Sequence, residues 1–335
     1  MRDHPIVSII IPLYNTEKYI AQCLRSIFEN GGPGNDGIEV IVIDDGSYDA
    51  SGDVVLSLQK EFQQIHYYRQ QNQGVSAARS YGAQVAEGKF LWFIDSDDFL
   101  VPGAVGRIVD LIRSDSLLDL IAIPLLVQYE NGHHYVTPTN PAIEEDFTTP
   151  GKELLKRGFR IICPQQFILK KDLFFKEGVY FPSGIRYEDE YFSRVVQYLA
   201  TRAKVLKDYL YIYRQWPGSF MNSVQVRSAR YLVEVYKQLS TFADQQVSPE
   251  DQTWFRRNIV SFLLETHTRF LEQVNSEEFR LFRQQHLPFI KQEFNTYKRL
   301  FSTKERLLDI VLVDYPRVYS NLITRYNTIK TWLRH

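Results

Sequence analysis

Apolar positions in the first hundred residues alternate between two spacings. "VSIII" (7–11) is an unbroken run of mostly β-branched residues, the pattern of a strand buried on both faces. "TEKYIAQCLRSIFEN" then places Ile20, Cys23, Leu24, Ile27 and Phe28 on one helical face, and Thr16 is predicted to cap that helix. "GGPGNDG" ends the helix, and "IEVIVI" (38–43) is a second buried strand. A helix around 51–62, a short strand "IHYY", a helix over 75–87 and the strand "KFLWFI" (89–94) follow. Strands alternating with helices predict βαβ units, and hence a parallel sheet flanked by helices.

Beyond residue 115 the alternation loosens. "DLIAIPLLVQYENGHHYV" reads as a strand, an Asn131-Gly132 turn and a return strand. Pro150 is expected at the first position of a short helix. In "GIRYEDEYFSRVVQYLA", Phe192, Val195, Val196 and Leu199 form a helical stripe. Glu188 and Asp189 then fall at the start of that helix, where its dipole favours anions. After "DYLYIYRQWPGSFMNS" the pattern is helical to the end, with breaks expected at Ser248-Pro249, Pro288 and Pro316. Two regions follow from this reading, an α/β domain over 1–220 and a helical region over 221–335.

Charge narrows the function classes. The 39 Lys and Arg nearly cancel the 40 Asp and Glu, which argues against a dedicated nucleic-acid binder. The two cysteines, Cys23 and Cys163, make neither a disulfide framework nor a zinc cluster, so a cytoplasmic setting is expected. The N-terminal apolar run is short for a signal peptide, and "LLDIVLV" (307–313) is far short of a membrane span.

In parallel α/β sheets, ligands bind at the carboxyl ends of the strands. Polar clusters stand there: "PLYN" after the first strand, "DDGS" (44–47) after the second and "DSDD" (95–98) after the fourth. Asp95, Asp97 and Asp98 crowd three carboxylates into one turn, and such like charges need a cation among them. A hard divalent ion would serve, since Mg²⁺ and Mn²⁺ favour carboxylates together with substrate phosphates. Arg79, in "NQGVSAARS", is the nearby cation in the sequence. An EF-hand does not fit, because Leu100 and Gly106 stand where Gly and Glu would be required. P-loop and G-x-G-x-x-G signatures are absent.

"VSIIIPLYN", "VIVIDDGSYD", "NQGVSAARSYG" with "AEGKFLWFIDSDD", and "EDEYF" follow the order and spacing of the family 2 glycosyltransferases of the GT-A fold, which the chain resembles over roughly residues 5–215. The likeness is to the bacterial branch that builds surface polysaccharides. It implies a Rossmann-like, mostly parallel sheet with a C-terminal helical extension. It also implies an inverting, metal-dependent enzyme moving a sugar from a nucleotide diphosphate donor, UDP by expectation, to a saccharide or lipid-linked saccharide. By the same resemblance Pro12 and Tyr14 would line the uracil pocket, and Asp45 would hold base or ribose. Arg79 would approach the base, and Asp95 and Asp97 would form the Asp-x-Asp motif. Asp97 or Asp98 would ligate Mg²⁺ or Mn²⁺, and Asp189 would be the base with Glu188 beside it. Ser80 departs from the Asn that usually follows this Arg. Arg214 is left open between a diphosphate contact and a surface residue.

The rival readings are a binding scaffold without catalysis and a nucleotidylyltransferase. The latter's glycine-rich first loop is missing from "PLYNTEKY". His133 and His134 beside the Asn-Gly turn read as exposed hairpin residues. From 298 onward, Lys298, Arg299, Lys304, Arg306, Arg317, Arg325, Lys330 and Arg334 outnumber Glu305, Asp309 and Asp314. The stripe Val318, Leu322, Tyr326, Ile329 and Leu333 suits a peripheral membrane contact, a homodimer interface or packing on the catalytic domain.

Overall fold

A computed structural model describes residues 4–28, 37–129, 132–136, 143–159, 161–216, 228–268, 276–303 and 306. The chain divides into two compact units, Met1–Ser219 and Phe220–His335. The tail stripe from Val318 to Leu333 and the break expected at Pro316 lie outside the described residues.

The first unit opens with β1 (Val7–Leu13), α1 (Ile20–Phe28), β2 (Ile38–Asp44), α2 (Ser51–Glu61), β3 (Ile65–Arg69), α3 (Val75–Val85) and β4 (Phe90–Phe93). Every residue of β1, β2 and β4 is buried, as continuous apolar runs require. Alternate side chains serve opposite layers. Ile9, Ile11, Val40 and Val42 join Cys23, Leu24 and Ile27 of α1 in one core, while Ile10 and Ile43 turn toward Gly82 of α3. A methyl group at Gly82 would collide with the Ile10 side chain, so glycine is what lets α3 lie this close to the sheet.

The unit continues with β5 (Phe99–Leu100), α4 (Ala104–Ser114), β6 (Leu120–Ala122), β7 (Leu125–Tyr129), β8 (His134–Val136), β9 (Phe147–Thr149) and α5 (Gly151–Lys156). It closes with β10 (Phe167–Lys170), α6 (Lys171–Phe174), α7 (Glu188–Leu199), β11 (Ala203–Val205) and β12 (Tyr211–Gln215). The large sheet has the order β3-β2-β1-β4-β10-β6-β11-β9. Its β3-β2-β1-β4 part is parallel, whereas β10 runs antiparallel to both β4 and β6.

A second sheet, β5-β12-β7-β8, was not visible in the hydropathy pattern. The run expected as one strand over 119–129 is in fact two, β6 in the large sheet and β7 in the small one. Pro124 lies between them; without an N–H it cannot continue a ladder, and the chain changes sheets there. The expected return strand pairs with β7, Val127 lying opposite Tyr135, and His133 and His134 are exposed; Asn131 of the expected turn lies outside the described residues. Two further local expectations are corrected. The first helix begins at Ile20, and Thr16 closes a preceding turn through its carbonyl, which accepts the Tyr19 and Ile20 N–H groups. Pro150 is the residue before α5 rather than its first.

The second unit holds α8 (Ala229–Gln246), α9 (Gln252–Thr268) and α10 (Glu277–Tyr297). The break at Ser248-Pro249 separates α8 from α9, but α10 runs through Pro288. Among the described residues no helix is long and apolar enough to cross a membrane.

Candidate active site

The loops after β1 and β2 are laced to each other. The Asn15 N–H donates to Ser47 Oγ at 3.1 Å, and the Tyr48 N–H donates to Asn15 Oδ1 at 3.0 Å. Asn15 takes a left-handed φ of 52°, a conformation that Asn tolerates better than most residues. This lacing leaves Tyr14 and Tyr48 exposed with their rings edge to face, centroids 6.2 Å apart. Pro12 sits inside β1, buried opposite Ile43. Asp45 is buried, with both carboxylate oxygens engaged. Its Oδ1 accepts from Gln70 Nε2 and the Gln73 N–H, and its Oδ2 accepts from the Gly74 N–H, at 2.7 to 2.8 Å. Asp45 therefore pins the loop that leads into α3, with Gly74 supplying the positive φ of 88° at the helix entry.

The cations inside the acidic turn are two arginines. Arg79, only 4% exposed, donates from Nη2 to Asp95 Oδ1 and from Nη1 to Glu188 Oε1, both at 2.9 Å. Its guanidinium lies 5.4 Å from the Phe181 ring, which stacks on Phe192 and meets Phe93 edge to face. Burial alone would lower its pKa, but the Asp95 and Glu188 charges outweigh that and raise it. Arg79, expected near the nucleobase, has both of its terminal nitrogens committed to carboxylates. Arg214 lies between the rings of Tyr19 and Phe99, at 4.9 and 5.0 Å. It donates from Nε to the Asp97 carbonyl at 2.8 Å and from Nη2 to Gln22 Oε1 at 2.7 Å.

The three aspartates have different fates. Asp95 gives Oδ1 to Arg79 and Oδ2 to the Gln165 side-chain amide. Asp98 is fully buried, its Oδ2 accepting from the Tyr211 hydroxyl and its Oδ1 from the Arg214 N–H. Burial first, then Asp97 and Asp95, push its pKa well up. Asp97 accepts from Trp216 Nε1 on Oδ2 at 2.9 Å, and no donor from another of the described residues reaches its Oδ1. Burial and the Asp95 charge raise its pKa as well. Asp98, expected beside Asp97 as a metal ligand, has each carboxylate oxygen engaged by one protein donor. Among the described residues there is no group of three or more His, Cys, Asp or Glu that would hold a metal ion by itself.

Helix α7 brings the Glu-Asp pair to this turn. Tyr187, at a left-handed φ of 65°, precedes it. Glu188 is the carboxylate tied to Arg79, while Asp189 accepts, among the described residues, only the Glu190 N–H, on Oδ1 at 2.9 Å. Burial, reinforced by Glu188 and Glu190 and opposed by Arg79, pushes the Asp189 carboxyl up to about 8. Arg79 thus brings Asp95 and Glu188 to a single guanidinium, although 93 positions separate them in the chain.

Gln165, Tyr211 and Trp216 complete the site and had not been singled out in the sequence. Gln165 lies in "CPQQF", whose spacing carries no signal, and only the packing of its turn under β4, where Trp92 Nε1 donates to its carbonyl at 3.1 Å, aims it at Asp95. Tyr211 and Trp216 flank Arg214 in "YIYRQW". An aromatic-rich strand bracketing an arginine was a usable signal.

Known proteins resemble this chain in both sequence and fold. Glycosyltransferase GlyG of Streptococcus pneumoniae serotype 4 is 28% identical over 240 residues, which cover 69% of this chain and 78% of that protein. The uncharacterized glycosyltransferase EpsJ of Bacillus subtilis is 30% identical over 219 residues, covering 64% of this chain and 62% of EpsJ, just under two-thirds of its length. The crystal structure of S. aureus TarS 1-349 in complex with UDP-GlcNAc shares the fold, with a TM-score of 0.73 at 21% identity over 96% of this chain and 91% of that one. The α/β architecture and glycosyltransferase character expected from the sequence stand on these likenesses. The family model described as Glycosyl transferase family 2 matches residues 8–176, about half of the chain, and the chain belongs to that family.

Proposed function

We propose that this glycosyltransferase is inverting and metal-assisted, takes a UDP-sugar, and passes the sugar to a hydroxyl of a saccharide or lipid-linked saccharide. One observation carries the reading: the buried Arg79 guanidinium pairs at once with Asp95 of the acidic turn and with Glu188, and so joins that turn to the start of the helix that carries the Glu188–Asp189 pair. The UDP-GlcNAc held by TarS, which shares this fold, supports UDP as the carrier.

Asp189 acts as the general base. The acceptor hydroxyl gives its proton to the Asp189 carboxylate as its oxygen bonds to the anomeric carbon. The bond from that carbon to the diphosphate oxygen breaks, and UDP departs with the electron pair. A carboxyl raised to about 8 has enough proton affinity for this step near neutral pH. Single displacement needs no carboxylate nucleophile, which fits the engagement of Asp95, Asp98 and Glu188 by protein donors. Asp97 would hold Mg²⁺ or Mn²⁺, since no donor from another described residue reaches its Oδ1 and such ions are commonly held by one or two carboxylates with substrate phosphates and water. When bound, the ion would neutralise charge on the departing diphosphate. Tyr14 and Tyr48 offer the exposed rings against which a uracil would lie. The excess of cations from Lys298 onward supports an anionic membrane surface as the place where a lipid-linked acceptor is met.

Thermal shift and slow hydrolysis with a panel of UDP-, GDP- and dTDP-sugars, with Mn²⁺ or with chelator, test the proposal. UDP-sugars should raise the melting temperature and be hydrolysed only with metal, and Asp97→Asn should lose the metal-dependent increment. Equal stabilisation in chelator would remove the ion from the reading. Binding without turnover, with or without added saccharides, would favour a scaffold instead.

A further inference from the structure

We infer that the β7–β8 hairpin carries a stacking subsite for the acceptor saccharide, built on Tyr129 and Tyr135. The inference rests on the transferase reading above. Tyr129 and Tyr135 are 42% and 46% exposed, with ring centroids 5.9 Å apart and planes at 34°. They share one face of the small sheet, because Tyr135 pairs with Val127, two residues from Tyr129 on β7. On that face Leu125 and Val127 are buried and the tyrosines are open, so the core ends where the hairpin begins. The Tyr129 N–H donates to the His133 carbonyl at 2.8 Å, and Gly132, at φ 82°, turns the chain. The rings therefore stand on a closed, hydrogen-bonded hairpin.

The register joins this pair to the catalytic turn. Tyr129 lies opposite Gln215, on the face of β12 that also carries Tyr211, whose hydroxyl donates to Asp98 and accepts from the Asp95 N–H, while Arg214 and Trp216 project to the other face and hold Asp97. With strands about 4.8 Å apart, Tyr129 is one strand and Tyr135 two strands from β12, about 5 and 10 Å. A saccharide whose terminal hydroxyl reaches the acidic turn can extend along these rings. Neighbours on this face have the chemistry that sugars use: Gln215 beside Tyr129, and His133 exposed at the hairpin. Amide, imidazole and phenol groups bond to hydroxyls, and the rings take the C–H face of a pyranose. The described hairpin residues include no Lys or Arg to favour phosphate.

Saturation-transfer NMR on the full chain, with UDP present, tests the subsite using methyl glycosides of glucose, galactose and N-acetylglucosamine. At least one glycoside should receive transfer at its ring C–H protons, and Tyr129→Ala and Tyr135→Ala should weaken its binding roughly three- to tenfold. Calorimetry of UDP on the same samples reports folding and the donor site. Phe175→Ala, which removes a 54% exposed ring elsewhere, should leave glycoside binding as in the parent. Loss of UDP binding by the parent chain would fail the donor reading. Retained UDP binding with no glycoside contact, with unaffected Tyr variants, or with Phe175→Ala equally impaired would overturn the subsite alone.

Discussion

Replacing Arg79 by Met keeps the length of the side chain and removes the charge that two carboxylates share. Both bonds are 2.9 Å long, and the guanidinium is 4% exposed, so water cannot take its place without opening the packing against Phe181. Breaking a buried pair by removing one partner costs roughly 3–5 kcal/mol, because the remaining charge stays buried. Asp95 keeps the Gln165 amide, which softens its share, whereas Glu188 loses the one donor assigned to it. Against a domain stability of about 5–15 kcal/mol this is a large fraction. Two compact units need not melt together, so the reporter should be local: hydrogen exchange of peptides from α3, β4 and α7. Glu188→Gln should cost less, and the double variant should fall short of the sum by about 1.5–3 kcal/mol, the worth of a charge-assisted bond. A drop below about 1 kcal/mol for Arg79→Met, or additivity within about 0.5 kcal/mol, would refute the bridge. Unchanged exchange with collapsed UDP affinity would return Arg79 to the nucleobase.

Two further outcomes follow from the geometry. With Asp189 as the proposed base, kcat/KM should rise with pH through about 8; Glu188→Gln removes a like charge and should move that limb lower, while Arg79→Met should move it higher. A limb at or below pH 5 in the parent would exclude Asp189 as the base with this environment. The same raised carboxyl favours the fold at low pH, and its contribution fades as pH climbs from about 4 toward 8, so Asp189→Asn should flatten stability over that window. Gly82→Ala should destabilise by roughly 1–3 kcal/mol through collision with Ile10, and Ile10→Val should recover part of the loss; chemical denaturation followed by exchange in β1 would show it, and a neutral Gly82→Ala would mean that α3 can withdraw from the sheet.

Local pattern was enough for the parallel part of the sheet. Continuous β-branched runs bury both faces wherever they fold, and the stripes of α1 and α7 admit one buried face each, so β1, β2, β4 and their helices were legible from neighbours in the chain. The acidic turn was legible as well, since three carboxylates in four positions advertise themselves. Which partner each would take was not. Asp95, Asp97 and Asp98 are equivalent in sequence, yet one is held by Arg79 and Gln165, one by Tyr211 and the Arg214 backbone, and one by Trp216. Those partners lie 16 to 119 positions away and arrive through strand order, through the passage from β6 to β7 at Pro124, and through α7 docking on Phe93. Hydrophobic periodicity is a one-dimensional signal of burial. The assignment of a buried charge to its counter-ion is set by the desolvation cost of leaving it unpaired, and only the assembled sheets bring the competing donors within reach.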